Sequence, residues 1–176
     1  LLGITWVVDA SGGYDQRFYW GVDNPKQLND EPAVDGEGNE LGYTQTGLKT
    51  LWKAKQNEIA ASLLAPSDWR VIKAKETSTN IPSTWKTYRA AVRTACNTRQ
   101  TEIDNCSDVA ALKELLFGST QIAKTKEQQR TDGNGNGIVD DDGNPVMETV
   151  NDLDDDGNIV WIDNPNLATA WPDPVE

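Results

Sequence analysis

The stretch whose residue types and spacing come nearest to a chemistry is Asp152-Leu-Asp-Asp-Asp-Gly-Asn-Ile-Val-Trp-Ile-Asp163. Oxygen donors at Asp152, Asp154 and Asp156 fall at positions 1, 3 and 5 of a twelve-residue calcium loop, with Gly157 at 6, Ile159 at 8 and Asp163 at 12. The backbone carbonyl of Asn158 adds a further ligand. Asp132, Asn134, Asn136, Gly137 and Asp140 make a poorer copy, with Gly143 where the last carboxylate belongs. Against an EF-hand, no helical pattern precedes Asp152, and Asn164-Pro165 closes the segment. The same residues serve a hairpin turn equally well, since Asp and Asn accept local backbone hydrogen bonds and Gly takes positive φ. A calcium-binding loop and a plain turn are therefore both open.

Beyond that loop the chain offers little for catalysis. It contains no histidine, so neither Cys96 nor Cys106 has the usual base of a thiol nucleophile. There is no G-x-S-x-G elbow, no glycine loop placed to cradle phosphate and no cysteine-rich metal cluster. Two carboxyls about 5–9.5 Å apart would suffice for glycoside hydrolysis, but the acids sit in turn sequences and nothing singles out a pair. The two cysteines lie ten positions apart in one helical pattern. A rise of about 1.5 Å per residue separates them by about 15 Å, too far for a disulfide, which tolerates about 7 Å between Cα atoms. Two free thiols fit a reducing cytoplasm. The expectation is a non-enzymatic protein.

Charge divides the chain sharply. The first 130 residues carry 16 basic and 16 acidic side chains and cancel, whereas the last 46 carry 12 acidic and no basic ones. The whole net charge of −12 thus sits in the C-terminal quarter, which would repel a phosphate backbone and argues against nucleic acid as a partner there. No apolar run approaches the roughly 18 residues of a membrane span. Leu1 to Val8 lacks a basic flank and reads as a strand, not a signal peptide; the absence of an initiator Met reads as a processed or trimmed start. Nothing in the composition calls for a small-molecule substrate.

These residues must be positioned by an α+β arrangement: an N-terminal β-hairpin, a central antiparallel helical unit, and a C-terminal acidic β-hairpin region with an extended tail. Gly3–Val8 and Arg17–Trp20 read as strands flanking a turn at Ala10–Asp15, giving a hairpin over residues 3–21. Asn24-Pro25 to Glu31-Pro32 reads as a loop, and Ala33–Leu41 as a second, small hairpin. Leu48, Leu51, Trp52, Ile59 and Leu63 form one helical stripe over 46–64, with Thr46 as its cap and Pro66 as its end. Trp69–Ile72 reads as a short extended piece. Trp85, Tyr88, Val92, Ala95, Cys96, Arg99 and Ile103 mark a second helix over 83–105, in which Arg99 is the polar outlier, its stem snorkelling past the core. Val109, Leu112, Leu115 and Leu116 mark a third over 108–116. The sequence divides at 1–45, 46–118, a linker at 119–131, and 132–176, with little helix after 130. A degenerate repeat, Asp-Asp-Asp-Gly-Asn between β-branched residues, occurs at 140–144 and 154–158, with a looser relative at 35–39.

One motif points to a family. Ser67-Asp-Trp69, then Ile81-Pro82, then Trp85-Lys-Thr-Tyr-Arg-Ala-Ala-Val-Arg93 resembles the pattern of tailed-phage tail fibre assembly chaperones: an Asp-Trp, a short variable segment and a W-x-x-Y-R-x-x-x-R helix, often finishing near a Trp-Pro such as Trp171-Pro172 here. The arrangement is also similar to structural-region proteins of cyanobacterial phages. The likeness covers about 27 residues plus the tail dipeptide, and the helix runs on well past Arg93, where the chaperone segment is shorter. The hairpin style on either side is that of virion fibres and adaptors. The resemblance implies a virion structural protein of the tail or tail-fibre region, an adaptor or fibre-attachment component with a chaperone-like helical module, found in the virion and in the host cytoplasm during assembly. Its partners would be other tail or fibre proteins in a multimeric assembly. A transient assembly chaperone is the alternative, and a calcium-dependent binding module a further one. The partner-binding residues implied are Asp68, Trp69, Trp85, Tyr88, Arg89, Arg93 and Trp171. Of these, Trp69, Trp85 and Tyr88 are expected to pack on the Leu48–Leu63 stripe, leaving Arg89 and Arg93 to reach a partner.

Overall fold

Apolar side chains at three- and four-residue spacing build helices at 48–64, 83–105 and 109–117, where that spacing predicts them, and a further helix at 68–76 forms where it does not. The computed structural model describes residues 13–175, and the strand expected at Gly3–Val8 lies outside the described residues. The fold is α+β, with small antiparallel hairpins, a central helical unit and further hairpins at the C-terminal end. It divides into two compact units, one reaching to Phe117 and taking up the chain again from Ala168, the other spanning Gly118–Leu167. No helix among the described residues is long and apolar enough to cross a membrane.

The first unit begins with two short antiparallel ladders. Strand β1 (Tyr19–Gly21) pairs with β2 (Asn24–Pro25), and β3 (Glu31–Val34) with β4 (Glu40–Gln45). The second is the small hairpin the sequence predicts. The first is a correction, because Asn24-Pro25 is not a loop but the return strand of a tight turn at Val22-Asp23, while Gln16–Phe18 is turn. Helix α1 (Leu48–Leu64) follows. Its start is not capped by Thr46. Asp30 accepts the Gly47 N–H at 2.7 Å, and the Leu48 and Lys49 N–H groups donate to the Gln27 and Leu28 carbonyls. Donors that a helix start leaves unpaired are thus met by the preceding loop. Glycine is required at 47 because a Cβ there would lie 2.3 Å from the Asn29 carbonyl carbon.

Pro66 does not end the helical path. Ala65–Ser67 form one turn of 3-10 helix and the chain continues as α2 (Asp68–Glu76), giving 29 residues of continuous helical course. Proline is tolerated in the first positions of such a turn, where its missing N–H has no partner to satisfy. Trp69–Ile72 is therefore helical and not extended; β-branched propensity is a weak preference that a helix already under way overrides. Helix α3 (Ser83–Asn105) packs antiparallel on α1, and α4 (Val109–Phe117) closes the unit, its start capped by Asp108, which accepts the Ala111 N–H at 2.8 Å.

Two apolar clusters hold this unit. Phe18, Leu48, Ile103, Val109 and Leu112 form one, with Trp52 stacked on Phe18 at 5.5 Å. Ala60, Tyr88, Val92 and Cys96 form the other, covered by Leu63, Leu64, Trp85, Trp171 and Val175. Leu51 is 53% exposed and does not belong to the α1 stripe; buried Gln56 faces the core in that stretch. Gln56 accepts a hydrogen bond at 2.7 Å from Arg99 Nε. Arg99 also donates to the Thr169 carbonyl and lies over the Trp171 ring. Arg99 thus ties the returning tail to α3 instead of snorkelling past the core, and burial pulls its pKa below the ordinary value. Both cysteines are unpaired thiols.

The second unit has a different design. Strands β5 (Gln121–Ala123) and β8 (Trp161–Asp163) pair, as do β6 (Thr125–Gln129) and β7 (Met147–Asn151). The expected linker at 119–131 is therefore largely strand. Three further hairpins are closed by the bridges Thr131–Gly137, Val139–Pro145 and Leu153–Ile159. The ladders meet at two three-way junctions, each a closed ring of backbone bonds. Lys124 donates to Val160, Val160 to Asp152 and Asp152 to Lys124, at 2.8, 3.0 and 2.7 Å. Arg130 donates to Val146, Val146 to Ile138 and Ile138 to Arg130, at 2.8, 3.0 and 2.8 Å. The unit is a branched tree of two-stranded ladders, and no helix occurs in it.

Candidate functional site

The family-like motif converges on the proline turn. Pro66 has no N–H, and the 3-10 turn sends the Asp68 N–H to Ala65, so the Leu64 carbonyl loses its helical partner. Ser67 Oγ donates to that carbonyl at 2.8 Å, and Arg89, nearly two turns into α3, donates to it at 3.0 Å. The same guanidinium donates to Ser67 Oγ at 2.5 Å and pairs with Asp68 at 2.8 Å. Ser67 is fully buried and Arg89 only 8% exposed. Ser67, Asp68 and Arg89 thus form one polar knot that fastens the proline turn to α3.

Around the knot the aromatic residues sort by burial. Tyr88 is buried and Trp85 half-buried, in edge contact at 6.0 Å, and both belong to the apolar cluster that takes in Ala60, Leu63 and Leu64 of α1. Trp171 joins them from the tail. Trp69 does not pack on that stripe: it is 51% exposed on α2. The Arg70 guanidinium lies 4.6 Å from both the Trp69 and Trp85 ring centroids, bridging the two by cation–π contact. The expectation that Arg89 is left for a partner is overturned, because it is consumed by the knot. Arg93 is exposed, with one hydrogen bond back to the Arg89 carbonyl at 3.3 Å.

The candidate calcium residues are placed otherwise than a cation cage requires. Asp154 Oδ1 accepts the N–H groups of Asp156 and Asn158 at 3.0 and 2.8 Å, and the Asn158 carbonyl accepts the Asp154 N–H at 2.9 Å. Asp152 lies in a junction ring and pairs with Lys124 and Lys126, which hold its carboxyl below the usual range. Asp163 sits in β8 opposite Gln121. The chain therefore forms the plain turn and not a twelve-residue wrap. Among the described residues no three His, Cys, Asp or Glu side chains converge as metal ligands.

That turn is repeated four times, at Asp35–Asn39, Asp132–Asn136, Asp140–Asn144 and Asp154–Asn158. In each, the Asp N–H donates to the Asn carbonyl and the Gly N–H to the Asp carbonyl. The Asp Oδ1 accepts two backbone N–H groups, two and four positions on. Gly38, Gly135, Gly143 and Gly157 take φ from 80° to 89°, where a side chain would be strained. All four carboxyls lie below their ordinary pKa, first because of the Asn N–H. The three in the acidic unit are tips of the branched tree. The shared D-x-x-G-N is a signal present in the sequence, although only two of its copies are alike enough to stand out. Compared with protein-family models, curated proteins and solved structures, the chain matches none.

Proposed function

We propose that this chain is a non-enzymatic structural protein of a bacteriophage virion, in the tail or tail-fibre region, where it serves as an adaptor or fibre-attachment component among other tail or fibre proteins. The observation that carries this reading is the unit at 118–167. None of its apolar side chains is buried, and Val139, Met147, Leu153, Ile159, Trp161 and Ile162 are all between 38% and 58% exposed. Two-stranded ladders without a core are marginal by themselves, and exposed apolar groups of this number mark surfaces that other proteins cover. The motif at 67–93 supplies the tail-region part of the reading. Because Ser67, Asp68, Tyr88 and Arg89 hold α1, α2 and α3 together, the motif acts here as the signature of a helical module, and the contacts with partners fall on the hairpin unit and on exposed α2.

The test is mass spectrometry of purified particles. A fixed copy number per virion is the expected result. Abundance in infected cells with absence from finished particles would replace this reading with that of a transient assembly chaperone.

A further inference from the structure

Helix α2 is unusual in burying none of its residues. Only Arg70 and Ala74 turn partly inward, so Trp69, Val71 and Ile72 stand exposed at 51%, 36% and 58% beside exposed Lys73 and Lys75. Asp68 is paired with Arg89, and Arg70, Lys73, Lys75 and the neighbouring Lys86 of α3 outnumber Glu76, so this end of the helical unit is positive. The surface that complements it lies on the same polypeptide. Residues 118–167 carry eleven acidic side chains against Lys124, Lys126 and Arg130, a net charge of −8, and expose apolar groups of which Trp161 is the largest at 58%. Seven of the eleven acids lie at the three turns, so negative charge is concentrated at the tips of the ladders that carry these apolar groups.

We propose that the α2 face of one copy docks on the hairpin unit of a second copy, head to tail. Trp69, Val71 and Ile72 meet exposed apolar groups around Trp161, lysines face aspartates, and complementary potentials set the orientation. Isologous pairing is opposed on both surfaces, because basic would meet basic and acidic would meet acidic. A heterologous contact leaves one of each surface unfilled at every step, so association propagates into a ring or a filament. A nucleic acid is the weaker candidate for the α2 face, since it would leave Val71 and Ile72 uncovered. The inference concerns contacts between copies and stands whether or not the chain belongs to a virion.

Sedimentation velocity of the full chain tests it. The native protein should sediment faster with rising concentration, with association roughly tenfold weaker in high salt, where charges at the rim are screened. Ile72→Asp and Trp161→Asp should each abolish the growth of assemblies. Mixed together, the two variants should form a 1:1 dimer and nothing larger, because one intact surface of each kind remains. Far-UV circular dichroism checks that both are folded; if either is not, Lys73→Glu with Lys75→Glu, or Trp161→Thr, takes its place. A native chain that stays monomeric, a variant that associates as the native chain does, or a mixture that does not dimerise overturns the proposal. Tight binding of duplex DNA that is lost with Lys73→Glu and Lys75→Glu overturns it in favour of nucleic acid.

Discussion

Phe18, Ile103 and Leu112 in the helical unit have no exposure to solvent, whereas Ile162, Ile159 and Trp161 in the hairpin unit retain 38%, 39% and 58% of theirs. The two units of one chain are therefore held by different forces. Burial of large apolar side chains, each contributing about 1.5–3 kcal/mol, accounts for the first. The second relies on backbone hydrogen bonds closed into rings, each contributing only about 0.5–1.5 kcal/mol net, and on turns whose geometry is built into D-x-x-G-N. The lesson is that a tree of hairpins can define a conformation without a core, but its exposed apolar groups then have to be covered by something else.

The largest expected effect sets the two units directly against each other. Phe18 is fully buried between Trp52 and Phe117, so Phe18→Ala should cost about 3–5 kcal/mol. Met147, half-exposed on β7, should cost under about 1 kcal/mol when replaced by Ala. Denaturant unfolding followed by tryptophan fluorescence and far-UV circular dichroism would measure both. Equal losses would break the comparison, by showing that the hairpin unit buries apolar surface in solution.

A smaller effect probes the knot within the helical unit. Arg89→Met removes one guanidinium from the Leu64 carbonyl, Ser67 and Asp68 at once, and should cost about 1.5–3 kcal/mol. Lysine should recover part of the loss, since all three contacts are made by the single nitrogen Nη1 and an ammonium offers three donors from one nitrogen, though on a shorter side chain. Arg93→Ala, on an exposed side chain, should stay within about 0.5 kcal/mol. Thermal unfolding of the three variants gives the order, and an Arg93 effect as large as that of Arg89 would show that the knot does not decide the packing of the proline turn.

The helices were legible in the sequence because their apolar period is long and repeated; α3 runs from Ser83 to Asn105 as the spacing predicts. What misled was local chemistry answered by distant residues. Pro66 reads as a stop because nothing near it in sequence shows that Arg89, 25 residues beyond Leu64, will join Ser67 in taking over the Leu64 carbonyl. Arg89 reads as a surface charge because its partners lie 22 and 25 residues away. Gly47 reads as a poor helix start because its cap, Asp30, belongs to another loop. The acidic repeat is legible as turns, since each turn is closed within five residues. The junction rings are not, because they join residues by backbone atoms that carry no sequence signal.

The smallest effect concerns the turn that both units share. Asp35 belongs to the cored unit and Asp132, Asp140 and Asp154 to the coreless one, yet each carboxylate accepts the same two backbone N–H groups and each lies below its ordinary pKa. As the pH falls, the unfolded chain takes up protons first, near the ordinary Asp value of about 3.9. Stability contributed by these carboxylates is therefore fully present above that value and is lost as the pH drops through the lower, folded-state values. The two units should part company there. Protection of the Gly143 and Gly157 amides, whose N–H groups close the acidic turns, measured against the intrinsic exchange rate at each pH, should fall below that pH, while Val92 and Ile103, fully buried in α3, stay protected. Carboxyl-carbon NMR titration should show low midpoints for all four aspartates. Asn158→Ala should raise the Asp154 midpoint only part of the way, since alanine keeps the backbone N–H that is the chief cause and removes only the side-chain amide. A full return to the ordinary value would shift the cause from backbone to side chain, and no movement would remove the side chain from the account.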